Sequence, residues 1–316
     1  MSIKGPILVT GMARSGTNFV GRMLDVSGEC VLINEPLNLH VKPGRPTGLL
    51  RARVEEFYQY ICQDNEGEYL SAFTDLVRLR DHPVAELLER PRDADAVVWY
   101  WFNFLRGRLR GRRALIRDPY ACLSAQWFAE RLCCRVVFVV RHPLAVVSSH
   151  KRLGWKQHTD LLLDQPLLAR DRLGPFRAEL EEMAAFPDDV VWGASLLWRI
   201  VNRPALELQK RSAAVTVVRH EDLSRHPREE FEKLYRALGL ELSDRVRSAI
   251  SHSTAPDNPH EGDLDNAHEV RLDSRATLTT WRDRLSNEEV ERIRSLTSDT
   301  APLYYPDERD WRADVV

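Results

Sequence analysis

Long apolar runs are missing from this 316-residue chain. The best, Val136-Val-Phe-Val-Val140, is a strand-length segment, far short of the ~18 residues a membrane-crossing helix needs. Lysine is scarce too. It supplies six of the 45 basic residues, and arginine supplies the rest. Net charge is only −2, which excludes a bulk electrostatic binder of nucleic acid or membrane surfaces. Cysteine is sparse and badly spaced. There are five, an odd number, with Cys133 and Cys134 adjacent and no C-x-x-C. That argues against a disulfide framework or a zinc site and for a reducing compartment. The first apolar run begins at once as a strand and breaks at Gly11, so no signal peptide is expected. A soluble, cytoplasmic protein without metal is the expectation. Internal repeats and low-complexity tracts are also absent.

What the chain does have is concentrated near its start. Ile7-Leu-Val-Thr-Gly11-Met-Ala-Arg14-Ser15-Gly16-Thr17-Asn18 reads as a buried strand, a Gly-rich turn and a helix opening at about Thr17. Such a turn presents backbone N–H groups at the positive end of a helix, a ready site for phosphate or sulfate. The spacing is that of a Walker A loop, G-x-x-x-x-G-K-S/T. The lysine is missing, because Thr17 and Asn18 stand at the last two positions. The cation appears earlier, at Arg14. The loop should therefore hold an anion, but not as an ATPase holds Mg-ATP. An ordinary strand-to-helix turn is the plain alternative. Arginine suits bidentate capture of such anions, although a GC-rich genome also supplies arginine by default.

Strand candidates recur at Ile7–Thr10, Val31–Asn34, Ala114–Arg117, Arg135–Val140 and Ala214–Arg219. Helical patterns lie between and after them, at about 18–27, 49–62, 121–132, 144–153, 192–211 and 228–238. A further helix follows the start signal Leu285-Ser286-Asn287-Glu288-Glu289. The alternation predicts an α/β fold with a mainly parallel sheet. Ligands in such folds bind at the carboxyl ends of the strands. Arg14, Glu35, Arg117, Arg141 and Arg219 stand there. Residues 38–112, mostly helical, and 154–190, irregular and amphipathic, read as insertions over the sheet edge on the acceptor side of one domain, 1–316. Residues 251–275 read as a long polar loop.

Three more segments join the first turn. In Val137-Phe-Val-Val-Arg141-His-Pro-Leu-Ala-Val-Val-Ser-Ser149, Arg and Ser lie eight residues apart, so a strand-end arginine and a helical serine can share one phosphate. Val217-Val-Arg219-His220-Glu221-Asp222-Leu223 precedes His226-Pro227 and a helix ending at Gly239. Arg271 lies ten residues before Trp281. Together these resemble the sulfotransferases that use 3′-phosphoadenosine 5′-phosphosulfate (PAPS) and release 3′,5′-ADP (PAP). The resemblance implies a P-loop NTPase-like three-layer fold with a central sheet flanked by helices. It implies that Arg14, Ser15, Gly16, Thr17 and Asn18 hold the 5′-phosphosulfate and that Arg141 and Ser149 hold the 3′-phosphate. His220 stands at the family's aromatic position near the adenine.

Within that family the pattern is similar to the tyrosylprotein sulfotransferases and their bacterial relatives. Arg14-Ser-Gly-Thr17 matches their R-S-G-T. Asn34-Glu35-Pro36, with Glu35 21 residues after Arg14, matches the motif that carries their catalytic base. Ile116-Arg117-Asp118-Pro119 resembles their N-K-D-P, with Arg117 at the catalytic lysine, and Arg271 matches a late lysine. Their late catalytic serine has no counterpart here, only Asp263, Asp265 and Asn266. The resemblance thus implies that Glu35 takes the acceptor proton while Arg14 and Arg117 stabilise the transferring group and the leaving phosphate.

Each residue has a plainer reading. Glu35 could cap a surface helix, Arg117 could serve Asp118, and Trp99-Tyr-Trp-Phe102 could be a core helix rather than a sugar platform. Two rival functions remain, a P-loop nucleotide kinase or NTPase and a non-catalytic PAP-binding protein. The expected acceptor is a small molecule or glycan: a glycan, glycolipid or secondary-metabolite hydroxyl ahead of a protein tyrosine.

Overall fold

Five short apolar segments form one parallel sheet in the computed structural model, which describes residues 4–39, 50–80, 94–157, 159–260 and 271–311. They are β1 (Ile7–Thr10), β2 (Cys30–Asn34), β3 (Arg113–Arg117), β4 (Arg135–Val140) and β5 (Val215–Arg219). The order across the sheet is β2-β3-β1-β4-β5, and every neighbouring pair runs parallel. Val, Ile and Leu dominate these strands because both faces of the sheet are covered. Leu8, Ile116, Val136 and Phe138 face one core, with Phe73, Phe104, Phe128 and Trp198 packed in it. Ile7, Val9, Leu115, Val137 and Val139 face a second core, with Val20, Leu24, Phe231 and Tyr235. The result is the expected three-layer, P-loop-like α/β fold.

The described helices are α1 (Thr17–Asp25), α2 (Gly67–Val77), α3 (Ala94–Leu109), α4 (Ala125–Arg131), α5 (Pro143–Leu153), α6 (Pro166–Asp171), α7 (Arg177–Met183), α8 (Val190–Asn202), α9 (Ala205–Arg211), α10 (His220–Arg225), α11 (Pro227–Leu238), α12 (Asp244–Ser253) and α13 (Asn287–Leu296). The start signal before α13 is a complete capping box: Ser286 accepts from the Glu289 N–H, and the Glu289 side chain accepts from the Ser286 N–H. The helix expected over 192–211 is two, α8 and α9, with Pro204 between them. Residues 154–190, expected to be irregular, hold α6, α7 and two 3₁₀ turns. The loop expected at 251–275 begins only after α12 ends at Ser253.

One expected helix is absent. Residues 50–62 have helical apolar spacing but form no helix. Two of their backbone donors are taken by distant side chains, and others by the local side chains of Gln59 and Asn65. Tyr60 N–H donates to Gln165 Oε1 at 2.8 Å, and Ile61 N–H donates to Ser124 Oγ at 2.8 Å. Tyr58 sits at φ 53°, which a helix does not accommodate.

The register puts the functional strand ends level. Val9 and Asn34 both pair with Arg117, and Val140 pairs with Arg219. β1 lies in the middle, between β3 and β4. The chain passes from β1 to one side of the sheet and later crosses to the other, so the turn after β1 opens at a topological switch point.

Candidate active site

The turn after β1 is shaped by its two glycines. Gly11 is at φ 144°, and a Cβ there would lie 2.2 Å from the Val139 carbonyl oxygen. Gly16 is at φ 102° and caps α1; its Cβ would lie 2.5 Å from His220 Nδ1. Between them Arg14 is held at φ 72°, a left-handed conformation that is costly for a residue with a side chain. The first turn of α1 leaves backbone N–H groups directed outwards. Ala13, Arg14, Gly16, Thr17 and Asn18 line a cleft of about 300 Å³ there, while Ser15 Oγ is buried without a hydrogen-bond partner among the described residues.

Arg14, Arg141 and Ser149 converge at this turn. Arg14 Nε donates to Ser149 Oγ at 2.9 Å. Arg141 Nη1 donates to the Arg14 carbonyl at 3.2 Å and Nη2 to the Thr277 carbonyl at 3.1 Å. Its Nε is buried with no partner among the described residues. Burial, then the charges of Arg141, Arg152 and Arg284, pulls the Arg14 guanidinium down to about 10. Arg284 is likewise lowered to about 10, by burial first and then by Arg152 and Arg141. Arg14 and Arg141 line the cleft, and Arg152 and Arg284, outside its lining, are close enough to add their charge, which favours an anion there. Arg152 and Arg284 escaped the sequence reading. Nothing in the chain's arginine-rich background marks them, and Arg284 reaches the site from 136 residues beyond Ser148, to which its Nη1 donates at 3.3 Å.

Across the same cleft lie Glu35 and Arg117. Arg117 Nη1 donates to Glu35 Oε1 at 2.8 Å, and Nε donates to Asn34 Oδ1 at 3.1 Å. Asn38 Nδ2 donates to Glu35 Oε2 at 2.6 Å. Both carboxylate oxygens are thus oriented, and each keeps lone-pair capacity for a further donor. Glu35 sits in a tight turn at φ 45°, its N–H on the Arg117 carbonyl at 2.8 Å. It is therefore not a helix cap, and the partner of Arg117 is Glu35 rather than Asp118. Gly21 of α1 makes room for the arginine stem, since a Cβ there would lie 3.0 Å from Arg117 Cγ.

Asp118 ties these strand ends together. It is fully buried; Oδ2 accepts from Leu37 N–H at 2.7 Å and Oδ1 from Tyr120 N–H at 2.9 Å. Burial raises its carboxyl to about 7, against the pull of those bonds.

His220 lines the cleft beside Gly16, with Nε2 3.4 Å from Ser224 Oγ. Burial, then Arg141, drives its imidazole well below the usual range, so it is neutral. Glu221 is structural: its oxygens accept from His142 N–H at 2.9 Å and from the Tyr305 hydroxyl at 2.8 Å. Arg219 stands at its strand end as expected but outside the cleft lining, paired with Asp222 at 2.7 Å. Arg271 is exposed, while its neighbours Leu272 and Ser274 line the cleft. Asp263, Asp265 and Asn266 lie outside the described residues. Of the aromatic run on α3, Tyr100 is buried while Trp99 and Trp101 are 59% and 39% exposed, so it is only in part a core helix.

A family profile described as "Sulfotransferase family" matches residues 6–244, about three-quarters of the chain. The chain belongs to the sulfotransferase family. It is an enzyme that transfers sulfuryl groups. Among solved structures it is similar to the sulfotransferase domain of the Synechococcus olefin synthase, at 18% identity over 93% of this chain and 94% of that one, with a TM-score of 0.47. The sulfotransferase domain from the curacin biosynthetic pathway matches at 16% identity over 94% and 99%, with a TM-score of 0.47. A mouse sulfotransferase complexed with PAP matches at 14% identity over 94% and 83%, with a TM-score of 0.42. No curated protein matches the chain. No described helix is long and apolar enough to cross a membrane.

Proposed function

We propose that this sulfotransferase takes the sulfuryl group from PAPS and places it on an acceptor hydroxyl, with Glu35 as general base. The observation that carries the reading is one cleft with an arginine cluster on one wall and an oriented carboxylate–guanidinium pair on the other. Transfer of this kind is mainly positioning plus electrostatic stabilisation. Arg14 and the N–H groups of residues 15–18 would hold the 5′-phosphosulfate, and Arg141 and Ser149 the 3′-phosphate. Ser15 Oγ and Arg141 Nε, both buried and unpartnered among the described residues, suit a ligand rich in acceptor oxygens. Arg117 would face the transferring or bridging oxygens while turning Glu35 towards the acceptor. The loop lacks the lysine a kinase or NTPase would use, which leaves those rivals weaker. The whole chain is read as one catalytic domain, because Ser253, Thr254, Ser274 and Thr277 complete the same cleft.

Calorimetry tests the donor. PAP should bind without Mg²⁺ and better than ATP. Arg141→Ala should weaken PAP by about 1.5–3 kcal/mol, the range for a charged hydrogen bond, and leave 5′-AMP binding nearly unchanged. Equal losses for both ligands would show that Arg141 does not read the 3′-phosphate. A preference for Mg-ATP would restore the kinase reading.

A further inference from the structure

A second cavity, of about 490 Å³, adjoins the first. Ala13, Tyr120 and Trp155 belong to both walls. The rest of its described lining carries more apolar than polar surface, with Phe57, Tyr58, Leu162 and Leu197 beside the polar Gln157 and Thr159. The rings form a layered wall: Tyr120 stands 5.3 Å from Tyr58 and 6.2 Å from Phe57, centroid to centroid. Trp155 packs 5.9 Å from His150. Burial pushes that imidazole down to about 4, so it is neutral, and its Nε2 lies 3.2 Å from the Ala13 carbonyl. The opposite nitrogen, Nδ1, and Thr159 Oγ1 are buried on this wall without partners among the described residues. Among the described residues Lys156 is the one cation in the lining, and it is paired with Asp188 at 2.5 Å.

Chambers of this size hold small molecules. A sugar chain presents hydroxyls on every side, and each would need a partner when buried. Among the described residues this wall offers ring faces and only a few unpartnered polar atoms, such as His150 Nδ1 and Thr159 Oγ1. It suits a flat apolar body with one or two polar groups.

We propose that this chamber receives the acceptor and selects a phenol or other ring-bearing, largely apolar alcohol over a sugar chain. The inference rests on the sulfotransfer reading of the adjoining cleft. The acceptor hydroxyl would emerge between Tyr120 and Trp155. Its oxygen forms the new O–S bond and its proton passes to the Glu35 carboxylate. The S–O bond to the 5′-phosphate breaks, and the electron pair leaves on PAP.

The test uses 2-naphthol and diacetylchitobiose as probes, read as sulfated product with PAPS and as calorimetric binding to PAP-saturated protein. Leu162→Trp fills the chamber from its apolar floor. Gln157→Trp fills it from the more exposed side, should the first variant disturb folding. PAP affinity, measured on each, reports an intact donor site. 2-Naphthol should bind and be sulfated, and each filling variant should raise its KM about tenfold or more with PAP affinity nearly unchanged. Trp101→Ala, outside both cavities, should change neither. Protein that binds PAP but not 2-naphthol, prefers the chitobiose, or keeps its naphthol KM in both filled variants overturns the chamber assignment alone. Protein that fails to bind PAP overturns the donor reading and this inference with it.

Discussion

In the proposed reaction Glu35 takes the acceptor proton, and its geometry is set by its own turn and two neighbouring side chains. The left-handed turn at φ 45° lifts it off the end of β2, Arg117 holds Oε1, and Asn38 holds Oε2. A carboxylate so oriented loses no freedom when a hydroxyl arrives, which is what positioning contributes to rate. Glu35→Gln keeps the size and an oxygen for Arg117 but is a far weaker proton acceptor. Its kcat should fall ~10²–10⁴-fold, the usual loss for a general base, with PAP affinity nearly intact. Single-turnover transfer from labelled PAPS to the true acceptor measures this. Turnover within a few-fold of the parent would show that the proton goes elsewhere.

At the scale of elements, the strand ends were legible in the sequence and the loops that cover them were not. A short apolar run ending in a polar residue has few other places to go than a buried parallel strand, so β1 to β5 and the residues at their tips could be read directly. Glu35, Arg117 and Arg141 follow from that as strand-end residues and Arg14 from the Gly-rich turn after β1, while their roles came only with the family resemblance. The segment 50–62 could not be read, because two of its backbone donors, on Tyr60 and Ile61, go to Gln165 and Ser124, far away in the chain. Tertiary partners there outweigh a helical spacing. Asp118 plays the same part for the site: one buried carboxylate joins the turn carrying Glu35, through Leu37, to the 3₁₀ turn after β3, through Tyr120. Asp118→Ala would leave two buried N–H groups unpaired and cost about 2–4 kcal/mol, with kcat falling because the Glu35 turn loosens. Denaturant titration gives the first quantity. It should also show a pH signature. A carboxyl raised to about 7 in the folded protein contributes stability below the unfolded carboxylate range and loses it as pH rises through about 7. The parent should therefore weaken from roughly pH 4 to about 7 and level off above that, and Asp118→Ala should lack that slope. An identical slope in both would assign the titration to another group.

The whole molecule is nearly neutral, at −2, yet it gathers Arg14, Arg141, Arg152 and Arg284 at one edge of the sheet. Two of these, Arg152 on α5 and Arg284 just before α13, were not singled out in the sequence although their segments were, because charge clustering is a property of the folded surface and not of the chain order. Their mutual repulsion is visible in the lowering of Arg14 and Arg284 to about 10, where burial leads and the neighbouring arginines add to it. Like charges held together in the free protein oppose folding, and a phosphate-rich ligand relieves them. Function and stability should therefore move in opposite directions here. Arg284→Gln removes one cation while keeping a long polar side chain near Ser148. The ligand-free variant should melt at the parent's temperature or above it. Its PAP affinity should drop about tenfold or more, as for loss of a charged hydrogen bond, and the rise in Tm on adding PAP should shrink accordingly. The parent's PAP affinity should also fall with added salt, and the variant's more gently, because screening acts on the charge that was removed. A purely structural arginine would give the reverse: a lower melting temperature in the free protein, with PAP affinity and its salt dependence unchanged.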